Sequence, residues 1–184
     1  AAEHYGIAPL IILNKIDLAN GFKPWQIYIN YYDRLGYRIL ETSIHQHDTI
    51  EALDNALQSH ISIFTGQSGT GKSSLLNALR PDCQQATADT EHQYGRHTTS
   101  TSRLFHLPKG GSIIDSPGIR DFDISFLSQT EIAQGFKDFN SFLPCQFRNC
   151  RHKNEAGCAI IGAVKAGEIA DFRYQNYLQL LENT

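Results

Sequence analysis

The order of two short motifs constrains this chain more than any other feature. Residues 14–17 read N-K-I-D, and residues 66–73 read G-Q-S-G-T-G-K-S. The first tetrapeptide fits the N-K-x-D loop that reads a guanine base, and the octapeptide fits the phosphate-binding pattern G-x-x-x-x-G-K-S. A G domain of ordinary connectivity has its phosphate loop first and its base-reading loop last. The reversed order predicts a circularly permuted G domain.

Hydrophobic runs and turn residues predict alternating strands and helices around these motifs. Asp48 or Thr49 is expected to cap the second helix. An alternation of this kind predicts an α/β fold, a doubly wound and mostly parallel sheet with ligands at the carboxyl ends of its strands. Strands are expected at residues 9–13, 37–40, 61–64, 103–107 and 112–115, and helices at residues 25–35, 48–57 and 75–79.

The phosphate loop is the strongest single motif. Its glycines let successive N–H groups turn toward phosphates, and the following helix presents its positive N-terminus. Lys72 is expected to reach the β and γ phosphates, and the Ser73 hydroxyl to bind Mg²⁺. A chance glycine-rich turn between strand and helix is the alternative. The expected nucleotide contacts are Gly66, Gln67, Ser68, Gly69, Thr70, Gly71, Lys72, Ser73 and Ser74.

The base-reading loop follows an apolar strand. The Asp17 carboxylate can accept both hydrogens from N1 and N2 of guanine, whereas adenine presents a mismatched edge. Asn14 is expected beside the base, and the aliphatic stem of Lys15 along it. Ser43 and the amide of Ile44 occupy the place of the weak fifth G-domain motif, near the guanine carbonyl. This last assignment rests on position alone.

Two segments predict the switches that respond to the γ-phosphate. Residues 115–118 read D-S-P-G, in which Asp115 is expected to contact Mg²⁺ and the Gly118 N–H to sense the γ-phosphate. Residues 95–99 read G-R-H-T-T within a polar stretch, and Thr99 is favoured over Thr98 as the hydroxyl recruited to Mg²⁺. The motif order is therefore G4-G5-G1-G2-G3.

The residue that orients the attacking water is not obvious. Ile119 stands where Ras-like enzymes carry a glutamine, and an apolar side chain cannot orient water. His97 is the candidate, with a solvated loop histidine as the alternative. Intrinsic hydrolysis is therefore expected to be slow, with His97, Lys72 and Thr99 as the candidate catalytic residues.

Three of the four cysteines lie close together near the end of the chain. The spacing Cys145-x4-Cys150-x-His152-x5-Cys158 matches a Cys3His zinc site, structural because it leaves no open position. Scattered reduced thiols are the alternative, and Cys83 is expected to be a free cysteine. Residues 128–131 read S-Q-T-E, a capping box that opens a helix, and a later helix is expected at residues 168–181.

Composition bounds the protein class. A chain of 184 residues with 41% hydrophobic side chains can hold one domain and a small appendage, expected as a G domain at residues 1–122 and a helical zinc-binding domain at residues 123–184. The apolar runs are far shorter than the roughly 20 residues of a membrane span. A net charge of −3 gives no overall electrostatic attraction to nucleic acid. A cytoplasmic monomer is expected.

The whole set of motifs resembles the ribosome small-subunit-dependent GTPase A family, a group of circularly permuted bacterial GTPases. The resemblance implies GTP and GDP with magnesium, one structural zinc, and the small ribosomal subunit and its rRNA as partners, with hydrolysis stimulated by that subunit. Family members are expected to carry an N-terminal OB-fold and a further strand before the N-K-x-D strand. Neither is apparent in this chain, so a truncated protein is expected, and its RNA contacts are expected to need the missing part.

Two other functions stay open. A GTP-gated RNA or protein scaffold with incidental hydrolysis is favoured by Ile119. A permuted GTPase that acts on the large ribosomal subunit is disfavoured by the zinc pattern at residues 145–158.

Overall fold

The described residues form alternating strands and helices up to residue 115, and helices and loops from residue 127 onward. The structure is a computed structural model that describes residues 2–19, 21–80, 103–115 and 127–182. Two compact units are present, one of Leu10–Phe122 and the other of Ala1–Pro9 with Asp123–Thr184. The hypotheses on Cys83, His97, Thr98, Thr99, Gly118 and Ile119 lie outside the described residues.

The first sheet of the Leu10–Phe122 unit holds the base-reading loop. Strand β1 (Leu10–Asn14) pairs in parallel with β2 (Arg38–Thr42), and Asn14 lies opposite Thr42. A 3-10 helix at Ile16–Ala19 and helix α1 (Gln26–Arg34) connect the two strands. This register brings the ends of both strands, and thus the residues that follow them, to one edge of the sheet.

The second sheet holds the phosphate loop. Its strand order is β3-β5-β4, where β3 is Ile61–Ile63, β4 is Arg103–His106 and β5 is Ser112–Asp115. Strands β3 and β5 are parallel, whereas β4 and β5 form an antiparallel hairpin. Helices α2 (His47–Leu57) and α3 (Lys72–Leu79) bury leucines in the core of this unit. The core consists of Leu53, Leu57, Leu75, Leu79, Leu107 and Ile113.

The α/β class is confirmed, with two differences from the sequence expectations. The described strands form two sheets, one parallel and one mixed, where a single sheet was expected. The capping prediction for α2 was wrong, because that helix begins at His47 after Gln46. Thr49 already lies inside the first turn, and its hydroxyl donates to the carbonyls of Gln46 and Ser43 at 2.8 and 3.1 Å.

The second unit is helical in its described part. The capping box is confirmed, since Ser128 Oγ accepts from the Glu131 amide and the Glu131 carboxylate accepts from the Ser128 amide. The aromatic side chains of Phe136, Phe139 and Tyr177 pack at centroid distances of 5.0 to 5.5 Å in its core. Its helices are α4 (Gln129–Gln134), α5 (Lys137–Asn140), α6 (Ala159–Lys165) and α7 (Asp171–Glu182).

A buried ion pair ties α7 to α5. Arg173 donates from Nε and from a terminal guanidinium nitrogen to the two carboxylate oxygens of Asp138, at 3.0 and 2.9 Å. The guanidinium also lies 4.5 Å from the ring centroid of Phe136. None of the helices in the described ranges is long and apolar enough to span a membrane.

Candidate functional site

The phosphate loop has the backbone that its glycines allow. Gly66, Gly69 and Gly71 all have positive φ, at 143°, 82° and 93°. Gly71 directly precedes α3, so Lys72 and Ser73 stand in the first turn of that helix. Lys72 Nζ donates to the carbonyls of Gly66 and Gln67, which holds its ammonium inside the loop. The loop therefore surrounds one cation at a helix N-terminus, where phosphate groups are favoured.

The base-reading loop contacts the phosphate loop directly. Asn14 Nδ2 donates to the Thr70 carbonyl at 2.9 Å, and Lys15 Nζ donates to the Gly69 carbonyl at 2.7 Å. Lys15 also has a positive φ of 65°, which turns the chain sharply after β1. The two motifs, more than 50 residues apart in sequence, form one continuous site.

Side chains at the carboxyl end of β2 fix the orientation of the base-reading side chains. The Thr42 hydroxyl donates to Asn14 Oδ1 at 3.1 Å, and the Ser43 hydroxyl donates to Asp17 Oδ1 at 2.5 Å. Thr42 and Ser43 are both fully buried. The hydrogen bond from Ser43 is the main reason that the pKa of Asp17 is lowered, and it outweighs the smaller raising effect of burial. Asp17 is therefore held as a carboxylate, the form that can accept from guanine.

Not every nucleotide-binding prediction is tested by these contacts. Asp115 ends β5, and since Ile63 of β3 lies opposite Ile114, its backbone reaches the sheet edge from which the phosphate loop departs. Ser73, Ser74 and Ser68 are exposed in or beside that loop. Ile44 is exposed as well, and its expected contact with the guanine carbonyl stays a prediction.

The second unit brings together the four residues of the Cys3His pattern. The ligand atoms of Cys145, Cys150, His152 and Cys158 all lie within 4.8 Å of one another. His152 Nδ1 lies 3.4 Å from each of the three sulfur atoms. The sulfur atoms of Cys145 and Cys158 are 3.8 Å apart. Nδ1 is thus the imidazole nitrogen that faces the thiols.

These distances can be compared with the demands of a tetrahedral ion. Metal–sulfur bonds of about 2.3 Å and metal–nitrogen bonds of about 2.0 Å require sulfur–sulfur edges near 3.8 Å and nitrogen–sulfur edges near 3.5 Å. The edges from Nδ1 and the edge between Cys145 and Cys158 match those values. The donor set of three thiols and one imidazole therefore fits a closed, four-coordinate site for zinc or a similar soft ion.

Burial sets the protonation of this cluster before a metal binds. It raises the pKa of the Cys150 thiol to about 12 and also raises the pKa of Cys158. Burial lowers the pKa of His152, which keeps the imidazole neutral and its nitrogen available as a ligand. Metal binding must therefore displace protons from thiols and none from the imidazole at neutral pH.

Two groups of contacts in these sites were not foreseen from the sequence. The bond from Thr42 to Asn14 depends on the strand register, which hydrophobic patterns do not specify. Glu155, Tyr174 and Tyr177 hydrogen-bond to the backbone of the metal loop. A hint was available in the spacing of the two tyrosines, three apart on one helix face, and in the position of Glu155 between two ligands.

In the Leu10–Phe122 unit, the base-reading loop and the phosphate loop follow parallel strands and contact each other, but their order along the sequence is reversed. These features define the unit as a circularly permuted G domain. Known proteins with similar sequences and structures support this assignment. A family model described as RsgA GTPase matches residues 1–125. The crystal structure of YjeQ from Thermotoga maritima superimposes with a TM-score of 0.78 at 33% identity, covering 99% of this chain and 62% of that one. YloQ, a circularly permuted GTPase, gives 0.71 at 30% identity, covering 96% of this chain and 57% of that one.

Curated relatives lead to the same family. "Small ribosomal subunit biogenesis GTPase RsgA" of Yersinia pseudotuberculosis is 46% identical over all of this chain and 54% of its own length. The protein of the same name from Proteus mirabilis is 43% identical over the same shares. The chain belongs to the RsgA GTPase family. It spans about half the length of the curated relatives it matches.

Proposed function

We propose that this chain binds GTP and GDP with magnesium and hydrolyses GTP slowly, and that it assists late maturation of the small ribosomal subunit. The observation that carries the proposal is the hydrogen-bonded union of the two loops, Asn14 with Thr70 and Lys15 with Gly69. A base-reading loop that is hydrogen-bonded to a phosphate loop supports guanine nucleotides as ligands. The names of the relatives from Yersinia and Proteus support the small subunit as the partner.

The nucleotide and the zinc would bind to different domains. Residues 1–122 would bind the nucleotide, with Lys72 at the β and γ phosphates and Ser73, Thr99 and Asp115 around Mg²⁺. Residues 123–184 would bind one structural zinc through the Cys3His cluster. His97 would position the attacking water, since Ile119 cannot. The protein would act as a cytoplasmic monomer, and rRNA contacts would involve more of the protein than this chain.

Magnesium, when bound, would neutralise charge on the β and γ phosphates. The chain's own residues supply the rest of the chemistry. Lys72 adds a fixed positive charge next to the γ-phosphate, and the first turn of α3 directs N–H groups at the phosphates. Asp17 fixes the base, and with it the distance from the base-reading loop to the reacting phosphate.

The test is GTP hydrolysis by the protein alone, with small ribosomal subunits, and with large subunits. Stimulation by small subunits alone supports the proposal, and Lys72→Ala gives the background rate without a phosphate-loop cation. Loss of the stimulation in His97→Ala, with GDP affinity retained, would assign the water-positioning role to that residue. Equal and negligible rates in all three mixtures would contradict the proposed hydrolysis.

A GTP-gated scaffold is the second candidate function. It is favoured by Ile119, which offers no chemistry for the attacking water. Tight GTP-dependent binding to small subunits without any stimulated hydrolysis would support the scaffold over the enzyme.

A further inference from the structure

A single carboxylate closes the loop that carries two of the metal ligands. Glu155 Oε1 accepts a hydrogen bond from the Arg151 amide at 2.9 Å. Its Oε2 accepts from the amides of Lys153 and Asn154, at 2.9 and 3.2 Å. These three N–H groups surround His152 in sequence. One side chain thus provides the acceptor for the donors of nearly the whole turn between Cys150 and Glu155.

The carbonyl groups of the same turn are held from another element. The Tyr174 hydroxyl donates to the His152 carbonyl at 2.7 Å and to the Lys153 carbonyl at 3.2 Å. The Tyr177 hydroxyl donates to the Arg151 carbonyl at 2.9 Å. Burial raises the pKa of both tyrosines, so their hydroxyls keep the proton that they donate.

The turn needs this support because of the backbone at His152. Its φ is 56°, in the left-handed region that residues with a Cβ seldom adopt. Such a conformation is energetically unfavourable and persists only where the surroundings fix it. At His152 the left-handed turn directs Nδ1 to a point 3.4 Å from all three sulfur atoms. The peptide groups on both sides of His152 are those held by Glu155 and the tyrosines.

We propose that Glu155 is a positioning residue of the metal site, which fixes the His152 turn in its ligand geometry before the metal binds. Glu155 is not one of the four clustered ligands, and its two oxygens accept hydrogen bonds from backbone amides. Its contribution is preorganisation: the ion meets an imidazole that is already oriented. The inference rests on the proposed metal site.

The chemistry of the carboxylate makes the proposal specific. Two oxygens with four lone-pair positions can serve three amides, and the negative charge strengthens each bond. A glutamine keeps one oxygen, but its NH2 group replaces the other. The two N–H donors of that group would then face backbone N–H donors. An aspartate keeps the charge but withdraws it by one methylene group. Both changes leave the four metal ligands intact.

The experiment measures the affinity of the full chain for Zn²⁺ by competition with a chelator of known affinity. We expect Glu155→Gln to weaken Zn²⁺ binding by about 10- to 100-fold, the range seen for groups that orient metal ligands. Glu168→Gln is the matched control, because it removes the same charge from an exposed side chain of the same unit. Equal affinities of Glu155→Gln and Glu168→Gln would overturn the inference.

Amide hydrogen exchange of the metal-free chain separates preorganisation from simple packing. We expect slow exchange at Arg151, Lys153 and Asn154 in the unsubstituted chain, and at least about tenfold faster exchange at these three amides in Glu155→Gln. If the turn forms only when the metal binds, exchange there will be fast in both metal-free proteins, and the inference is wrong.

Two further outcomes are distinguishable. If the unsubstituted chain binds no Zn²⁺, the metal-site proposal fails, while the exchange comparison still tests Glu155. If Glu155→Gln does not fold, Glu155→Asp takes its place, since it retains the charge. Weaker Zn²⁺ binding by Glu155→Asp is then expected, and an affinity equal to that of the unsubstituted chain would refute the role of Glu155.

Discussion

The Ser43 hydroxyl donates a hydrogen bond of 2.5 Å to Oδ1 of Asp17. The same hydroxyl accepts from the His45 amide at 3.1 Å, so its single proton is directed at the carboxylate. Ser43 is fully buried at the end of β2, whereas Asp17 stands in the 3-10 helix after β1. The contact fixes one carboxylate oxygen and with it the plane of the group that reads guanine.

Ser43→Ala should weaken GDP binding and make it more sensitive to acid. The Ser43 hydrogen bond is the largest cause that lowers the pKa of Asp17, so its loss raises that pKa. An aspartate with a lowered pKa keeps its charge even at a pH somewhat below its ordinary pKa, and it loses that charge only as the pH falls further. GDP binding should therefore fail at a higher pH in Ser43→Ala, and be several-fold to about tenfold weaker at pH 7.

Fluorescent-GDP titrations from pH 7.5 down through the ordinary aspartate pKa of 3.8 measure both effects. Ser62→Ala, which removes a half-buried hydroxyl from β3, is the control and should follow the unsubstituted chain. Identical acid profiles for Ser43→Ala and Ser62→Ala would show that the Ser43 contact does not hold the carboxylate.

A second prediction concerns the junction of the two loops. A Cβ at Gly71 would overlap Nδ2 of Asn14 and lie 3.6 Å from Cε of Lys15. Gly36 has a similar φ of 78°, but among the described atoms none lies within 4 Å of its Cβ position. Each change to alanine carries the left-handed penalty of about 1–2 kcal/mol. Of the two changes, only Gly71→Ala must also displace the Asn14 side chain, which donates to the Thr70 carbonyl.

We therefore expect Gly71→Ala to abolish nucleotide binding while Gly36→Ala retains it with a modest loss of stability. Calorimetric titration with GDP and denaturant unfolding of both variants check this pair. Retention of GDP binding by Gly71→Ala would mean that the contact between Asn14 and Thr70 is dispensable for the site.

Much of this site could be predicted from the sequence because its signals are local. The apolar run at residues 9–13 and the strand at Leu10–Asn14 differ by one residue, since a continuous run followed by a polar motif defines a buried strand. The phosphate loop and the Cys3His spacing are equally local. The four ligand atoms of the Cys3His pattern lie within 4.8 Å of one another, as that pattern requires, whereas metal binding and the identity of the metal stay predictions.

The remainder depends on contacts between distant segments. Ser43 was expected near the guanine carbonyl, and its contact with Asp17 follows from the register that sets Asn14 opposite Thr42. Hydrophobic patterns specify that β1 and β2 are strands but not which residues pair. The role of Glu155 depends in turn on a left-handed residue at His152, which no propensity favours strongly.

A third prediction concerns the buried pair of Arg173 and Asp138. Their side chains are only 10% and 4% exposed, and the guanidinium binds both carboxylate oxygens. Removing Arg173 takes both of these hydrogen bonds from a buried carboxylate, so Arg173→Met should cost about 3–5 kcal/mol in the free energy of unfolding. The double variant Arg173→Met with Asp138→Leu should recover much of that loss, because no charge remains buried.

Denaturant unfolding with one probe in each unit measures these values. The exposed pair of Lys23 and Glu41 is the comparison, and Lys23→Ala should cost no more than about 1 kcal/mol. A double variant as unstable as Arg173→Met alone would show that the loss comes from packing against Phe136, not from the carboxylate that Arg173 no longer binds.

A fourth prediction follows from the protonation of the metal cluster. Burial raises the pKa of Cys150 to about 12 and also raises that of Cys158, so both thiols carry protons at neutral pH when no metal is bound. A raised thiol pKa favours the protonated form until the pH is high, and the metal takes only the thiolate. The apparent Zn²⁺ affinity should therefore rise by at least about two powers of ten per pH unit between pH 6.5 and 8. Cys150→Ser should lower this slope by about one, because one fewer thiol proton is released.

Titrations against a chelator with known pH dependence measure the slope, with proton release in weakly buffered solution as a second readout. An affinity independent of pH would mean that the cluster binds its metal without displacing thiol protons, contrary to the burial of Cys158 and His152.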